Sequence, residues 1–276
     1  LPGLERTLHH TPPARDARVC KAEVHSDCLS GTLVLPCQGK DGKPLACGYL
    51  VTATRVVLVD DESALQGLLR RIAREEVATL PGLGPVLLPG AKGYEGEGRW
   101  TLNPSYLPPQ LLARFASFKG PWGEMRALLP KLLQESAPRG FAPDWVDWQG
   151  EKGWQVTADK GDTGGYDAIR VYLWLGMLSE EDPARASLVA HFAPMLAQLT
   201  ESGHLPERVS SQSGQVQGKG PSGFAAALLP LSRGLPVQVT LRKQVSDHGL
   251  DADAYYGSVL TLFGAGWDQG RYRFAA

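Results

Sequence analysis

The tryptophans and cysteines of this chain occupy different territory. All four cysteines fall in the first fifth, at Cys20, Cys28, Cys37 and Cys47, while the seven tryptophans run from Trp100 to Trp267. Met125, Met177 and Met195 also lie in the later part. One core seldom sorts its large and reactive side chains so cleanly. A boundary is therefore expected near Ser63–Gln66, between a segment 1–64 and a larger portion 65–276.

The 276 residues are 43% hydrophobic and 21% charged, ordinary values for a soluble globular protein, so disorder over the whole length is not expected. Lys+Arg 28 against Asp+Glu 29 gives a net charge of -1. That balance lacks the basic excess of a nucleic-acid binder. No apolar run reaches about 18 residues, so no membrane span is expected. The sequence opens at Leu1 with no basic and apolar leader pattern, and a signal peptide is expected to be absent or already removed.

The first segment reads as β-rich. Gly31–Pro36 (G-T-L-V-L-P) and Gly48–Asp60 (G-Y-L-V-T-A-T-R-V-V-L-V-D) carry the Val, Leu and Thr of strands, with the polar turn Gln38–Pro44 between them. The cysteine gaps of seven, eight and nine residues do not match the paired spacing of a zinc site. Two disulfides with three connectivities, or buried thiols, both remain open. His9, His10 and His25 are ordinary tail residues as readily as metal ligands, and no metal or organic cofactor is expected.

The larger portion reads as about eight helices joined by long loops. Ser63 can cap a helix on which Leu65, Leu68, Leu69, Ile72, Ala73 and Val77 share a face, ended by Pro81-Gly82. Pro108-Pro109 opens a second, to about Phe118, and Trp122 to Leu133 mark a third. Further helices are expected over 166–178, 183–202, 222–232, 236–245 and 252–263. The loops hold the aromatic residues. Gly93–Tyr106 contains Tyr94, Trp100 and Tyr106, and Phe141–Trp154 contains Trp145, Trp148 and Trp154, with Asp144 and Asp147 among them. Aromatic faces beside carboxylates suit a sugar, which offers C–H bonds to the rings and hydroxyls to the acids. Single tryptophans also simply fill cores.

Seven motifs then carry a resemblance. They are L-L-R-R-I-A-R-E-E (68–76), P-G-L-G-P-V-L-L-P-G (81–90), N-P-S-Y-L-P-P (103–109) and A-P-R-G-F-A-P-D-W-V (137–146). Y-D-A-I-R-V-Y-L-W-L-G-M (166–177), G-K-G-P-S-G-F-A-A-A-L-L-P (218–230) and D-A-Y-Y-G-S-V-L-T-L-F-G-A-G-W-D (253–268) complete the set. Over about residues 65–276 the chain resembles glycoside hydrolase family 8. Within that family it is most similar to the periplasmic endoglucanases (cellulases) of bacterial cellulose-synthesis operons.

The resemblance implies a mainly α fold, an (α/α)6 barrel with a glucan groove, here represented by about four of six helical hairpins. It implies hydrolysis of β-1,4-glucan or cello-oligosaccharide with inversion, no cofactor, and a periplasmic or secreted location. Inversion uses two carboxyl groups about 6.5–9.5 Å apart, one acid and one base. The family's base aspartate in Y-D-A-x-R matches Asp167. Arg170 follows one turn later on the same face, where a guanidinium favours an ionised carboxylate and binds hydroxyls. Tyr166, Asn103 and Tyr106 match positions for sugar or water, and Tyr255 or Tyr256 matches a groove wall. Taken alone, Asp167 also reads as a helix N-terminal carboxylate stabilised by the dipole.

The family's general acid, a glutamate in S-E-G, and a second essential aspartate in S-x-S-D-x-D have no match here. Glu5, Glu23, Asp27, Asp60, Asp61 and Glu62 are the carboxylates available in and near the first segment, none in a recognisable context. The expectation is an endoglucanase by descent whose activity the missing acid puts in question. The alternatives are a glucan-binding module without turnover, or a structural chimera of a cellulase fragment. An incomplete barrel would also leave helix faces open to self-association.

Overall fold

The computed structural model describes residues 62–250 and 254–274, and the backbone of 48–51 and 56–59. The expected strand Gly31–Pro36, the turn Gln38–Pro44, the four cysteines and His9, His10 and His25 lie outside the described residues, as do Glu5, Glu23, Asp27, Asp60 and Asp61.

Strand β1 (Gly48–Val51) pairs antiparallel with β2 (Val56–Val59), Gly48 opposite Val59. The run 48–60, expected as one strand, is thus a hairpin. In the sequence Thr52-Ala53-Thr54-Arg55 separates its two apolar stretches. Helix α1 (Glu62–Glu75) follows, burying Leu65 and Leu69 while Arg71 bonds Glu75 on the outside at 3.0 Å. It stops four residues before Leu80, earlier than its apolar spacing suggested. Val77 belongs instead to β3 (Val77–Leu80), which turns through Pro81-Gly82 into β4 (Gly84–Leu87). Two β-branched residues, Val77 and Thr79, favour the extended form there.

The segments expected as long loops hold a four-stranded antiparallel sheet in the order β5-β6-β7-β8. Its strands are β5 (Glu95–Gly96), β6 (Arg99–Leu102), β7 (Val146–Trp148) and β8 (Trp154–Gln155). Trp100 faces Trp148 across one pairing and Trp148 faces Trp154 across the next. Strands of two to four residues give no readable alternation, which is why the sequence showed only loops. Between β6 and β7 lie a 3-10 turn (Pro104–Tyr106), α2 (Pro109–Phe115) and α3 (Trp122–Ser136). Helix α3 buries Trp122, Met125, Leu129, Leu132 and Leu133.

A second sheet, in the order β11-β10-β9, joins β9 (Thr163–Gly164), β10 (Arg208–Ser210) and β11 (Val216–Gln217). Strand β9 leads directly into a turn at 165–168 and then α4 (Ile169–Gly176). The single helix expected over 183–202 is two, α5 (Arg185–Phe192) and α6 (Pro194–Ser202), because Pro194 has no N–H to continue the ladder. Helices α7 (Ser222–Leu228), α8 (Val237–His248) and α9 (Tyr255–Asp268) complete the chain.

The centre of this helix-rich fold is α4 and α7. Helix α4 buries Ile169, Val171, Tyr172, Leu173 and Leu175, and α7 is buried from Gly223 through Leu228. Helix α9 touches α7 backbone to backbone. A side-chain carbon at Gly264 would lie 1.8 Å from the Ala226 carbonyl oxygen, so only glycine fits. Among the described residues no helix is long and apolar enough to cross a membrane.

Candidate active site

Asp167 sits in the turn between β9 and α4, its side chain 28% exposed. Arg170, on the first turn of α4, donates from Nη2 to Asp167 Oδ1 at 2.5 Å and to Ser105 Oγ at 2.8 Å. Ser105 in turn donates from its hydroxyl to Asn103 Oδ1 at 2.6 Å, and its backbone N–H reaches the same oxygen at 3.1 Å. Asn103 and Ser105 are both buried. A continuous line of polar contacts therefore runs from the core, Asn103 to Ser105 to Arg170, and ends on a carboxylate at the surface. The Asn103 Nδ2 group is buried without a partner, an arrangement that is costly unless water or a ligand meets it.

Local sequence explains this geometry. In N-P-S-Y, Pro104 occupies the start of a 3-10 turn that Asn103 caps through its side chain. That turn aims Ser105 at α4, and Trp174 Nε1 on α4 ties it down by donating to the Ser105 carbonyl at 3.1 Å. The β9 side is equally constrained. A side-chain carbon at Gly164 would lie 1.9 Å from the Ala142 carbonyl oxygen, so the chain bearing Asp167 presses on the 141–144 segment as closely as backbone permits.

Aromatic rings flank the carboxylate on both sides. Tyr166 is exposed and lies 6.0 Å, centroid to centroid, from Tyr256, whose hydroxyl donates to the Tyr166 carbonyl. Burial pushes the Tyr256 phenol up to about 12. On the other side the Arg170 guanidinium lies 5.6 Å from the centre of the Tyr106 ring. Burial raises the Tyr106 phenol, with the Asp167 charge adding to the effect and Arg170 opposing it. Tyr106 meets Trp145 edge-on at 6.1 Å, and Tyr94 stacks parallel to Trp145 at 6.0 Å. Lys160 Nζ rests over the Trp145 ring at 3.3 Å.

Asn103, Tyr106, Tyr166, Asp167, Arg170 and Tyr256, the positions named from the resemblance, lie in one neighbourhood. Of the two adjacent tyrosines, Tyr256 reaches the cluster, whereas Tyr255 is 81% exposed. Glu62 pairs with Arg114 at 3.4 Å at the start of α1 and is 75% exposed. The loop tryptophans do not act as one group. Trp148 is buried and donates to the Pro81 carbonyl at 3.0 Å, and Trp154 donates to Glu135 at 3.2 Å. Asp147 is buried and accepts from the Thr101 hydroxyl at 2.7 Å. Two further residues matter here: Ser105, not singled out in the sequence, and Asp144, read there only as a carboxylate among the loop aromatics, whose Oδ1 accepts from the Gly165, Asp167 and Ala168 N–H groups. Ser105 lay inside a quoted motif, where an Asn-x-Ser turn is the available signal. Asp144 carried no local pattern, because its partners are more than twenty residues away.

A family model for glycosyl hydrolases family 8 matches residues 60–270. The chain belongs to glycosyl hydrolase family 8. Similar family members include an endoglucanase of Escherichia coli strain K12, 50% identical over 208 residues, covering 75% of this chain and 56% of the relative. An endoglucanase of Xanthomonas axonopodis pv. citri is 45% identical over 219 residues, with 76% and 57% covered. Among solved structures, the endo-1,4-D-glucanase from Vibrio fischeri ES114 aligns with a TM-score of 0.71 at 38% identity, covering 78% of this chain and 64% of that one. The endo-beta-1,4-glucanase CMCax from Acetobacter xylinum shares the fold, with a TM-score of 0.59 at 21% identity. The family 8 chain described here spans little more than half the length of the curated relatives it matches. Its helix-rich architecture with short strands fits the (α/α)6 type of its family.

Proposed function

We propose that the chain is the base-bearing portion of an inverting endo-β-1,4-glucanase, with Asp167 as proton acceptor and the aromatic rows beside it as the glucan groove. The observation that supports this most directly is the partly exposed Asp167 carboxylate, held by Arg170 and flanked by Tyr106, Tyr166 and Tyr256. In that role Asp167 takes a proton from water as the water oxygen bonds to the anomeric carbon. The glycosidic C–O bond breaks on the opposite face, and the departing oxygen needs a proton from an acid. Arg170 orients Asp167 through its hydrogen bond, and Ser105 and Asn103 fix the guanidinium.

Neither family acid motif occurs in the sequence. Losing general acid assistance costs about 10²–10⁴-fold in rate, so slow turnover with retained glucan binding is expected. The test is release of reducing ends from soluble carboxymethylcellulose, alongside calorimetry with cellopentaose. Binding with slow hydrolysis abolished by Asp167→Asn supports the proposal. Absence of cellopentaose binding refutes it.

A second reading is glucan binding without catalysis, which the lack of a match to S-E-G or S-x-S-D-x-D in these 276 residues favours. It predicts binding lost on substitution of Trp145, with no hydrolysis at any enzyme concentration. A chimera with a partial barrel, its first 64 residues unrelated to the family, predicts neither. Exposed apolar residues on the last two helices, Val239 and Leu262, suit self-association of such a partial barrel, which light scattering at two concentrations would reveal. A periplasmic or secreted location is part of this proposal.

A further inference from the structure

One peptide group is gripped at both ends. The peptide that joins Tyr166 to Asp167 presents a carbonyl on one side and the Asp167 N–H on the other. The Tyr256 hydroxyl, from α9, donates to that carbonyl. Asp144 Oδ1, from the segment before β7, accepts from the Asp167 N–H at 3.0 Å. The same oxygen accepts from Gly165 N at 2.8 Å and Ala168 N at 2.7 Å. These are among the donors that a helix leaves unpaired at its start, for the Ile169 N–H already bonds the Gly165 carbonyl at 3.0 Å in the helical pattern. Helix α4 has no cap from its own N-cap side chain, so the cap comes from Asp144, more than twenty positions upstream.

Asp144 is itself held. Its N–H donates to the Thr163 carbonyl at 2.9 Å, and the Ala142 N–H donates to the buried Tyr172 hydroxyl on α4 at 2.9 Å. The capping segment is therefore fastened to β9 before the turn and to α4 after it. Rotation of the 166–167 peptide would break bonds to two unrelated parts of the chain at once.

We propose that Asp144 and Tyr256 are positioning residues that clamp this peptide and so set the direction in which the Asp167 carboxylate meets its substrate. The inference rests on the reading of Asp167 as the base. Asp144 does its part as a hydrogen-bond acceptor, so an amide in its place serves equally well. Tyr256 does its part as a donor, so phenylalanine does not replace it.

The test uses the full chain and four variants: Asp144→Asn, Asp144→Ala, Tyr256→Phe and the double variant Asp144→Ala/Tyr256→Phe. Amide hydrogen exchange is followed at Gly165, Asp167 and Ala168, and cellopentaose affinity is measured on the same samples. Asp144→Ala should raise exchange at these three amides about tenfold, with α3 amides unchanged, and weaken binding by about the same factor. Asp144→Asn should restore both. The double variant should lose less than the sum of its parts, because both residues restrain one peptide. Unchanged exchange in Asp144→Ala, or equal losses in the Asn and Ala variants, overturns the clamp. If Asp144→Ala does not fold, Tyr256→Phe decides: unaltered exchange at the Asp167 amide overturns the proposal and faster exchange there supports it. Wild-type protein that binds no cellopentaose removes the functional reading, while the exchange rates still judge the clamp.

Discussion

Arg170 Nη2 lies 2.5 Å from Asp167 Oδ1 and 2.8 Å from Ser105 Oγ, so one guanidinium nitrogen serves both the candidate base and the buried hydroxyl behind it. Arg170→Met removes both bonds and leaves the carboxylate without its cation. A hydrogen bond to a charged group contributes about 1.5–3 kcal/mol, and the exposure of this pair places the loss in stability toward the lower end. Urea denaturation should show that loss. Calorimetry should show cellopentaose binding weakened about tenfold. Arg170→Lys should recover only part of it, since an ammonium is a point charge without the planar fork.

Ser105→Ala tests the inner half of the same line. The hydroxyl is buried and bridges Arg170 to Asn103. Its removal should destabilise the fold by about 1 kcal/mol, a typical net worth for one such bond. The signature is a larger fractional loss in glucan affinity than in stability. Equal affinity for wild type and Ser105→Ala would show that Arg170 holds its orientation without the serine.

The Asp144 carboxyl gives a pH prediction with a definite sign. Burial raises its proton affinity above the ordinary 3.8, the Asp167 charge adds to that, and the three amides oppose it. A carboxyl raised on folding supports the native state most fully below its unfolded value. That support is lost as pH rises through the folded value. Asp144→Asn keeps the acceptor and removes the ionisation. The variant should therefore gain stability relative to wild type as pH rises from the unfolded value through the folded value of Asp144, measured by urea unfolding. A difference that does not change with pH would contradict the assignment of burial as the main cause.

Trp145 and Trp148 should separate function from stability. Trp145→Ala should weaken cellopentaose binding and leave the unfolding midpoint nearly unchanged, because the indole lies beside Tyr106 at the site. Trp148→Ala should do the reverse. Its buried ring packs on Trp154 at 4.9 Å, and truncating such a residue costs about 3–5 kcal/mol.

Gly264→Ala probes the contact between α7 and α9. The new methyl would meet the Ala226 carbonyl at 1.8 Å, so the helices must move apart. Overpacking of this kind costs about 1–3 kcal/mol, visible as a drop of several degrees in Tm.

What the sequence made legible follows the range of each interaction. Asp167 and Arg170 are three residues apart, so one motif of the resemblance carried both, while Ser105, two residues from Asn103, lay unremarked inside another. Helix α3 was readable because Trp122, Met125, Leu129 and Leu132 repeat on one face, and α2 because Pro108-Pro109 marks its start. The sheet of β5 to β8 was not, because its pairing joins Trp100 to Trp148 across strands too short to show a period. For the same reason three tryptophans close in sequence looked like one group, although Trp145 lies beside Tyr106 while Trp148 and Trp154 pack on each other. Asp144 stood beside them as one more loop acid. Its capping role depends on a contact with residues 165–168 that no neighbouring position announces.

The ammonium of Lys160 lodged on the Trp145 indole has a spectroscopic consequence. A neutral pyranose can stack on that face only by evicting the lysine to solvent. Such an exchange of a cation for an uncharged ring would alter the chain's tryptophan emission, and a change that disappears in Trp145→Ala would report sugar seated on that indole.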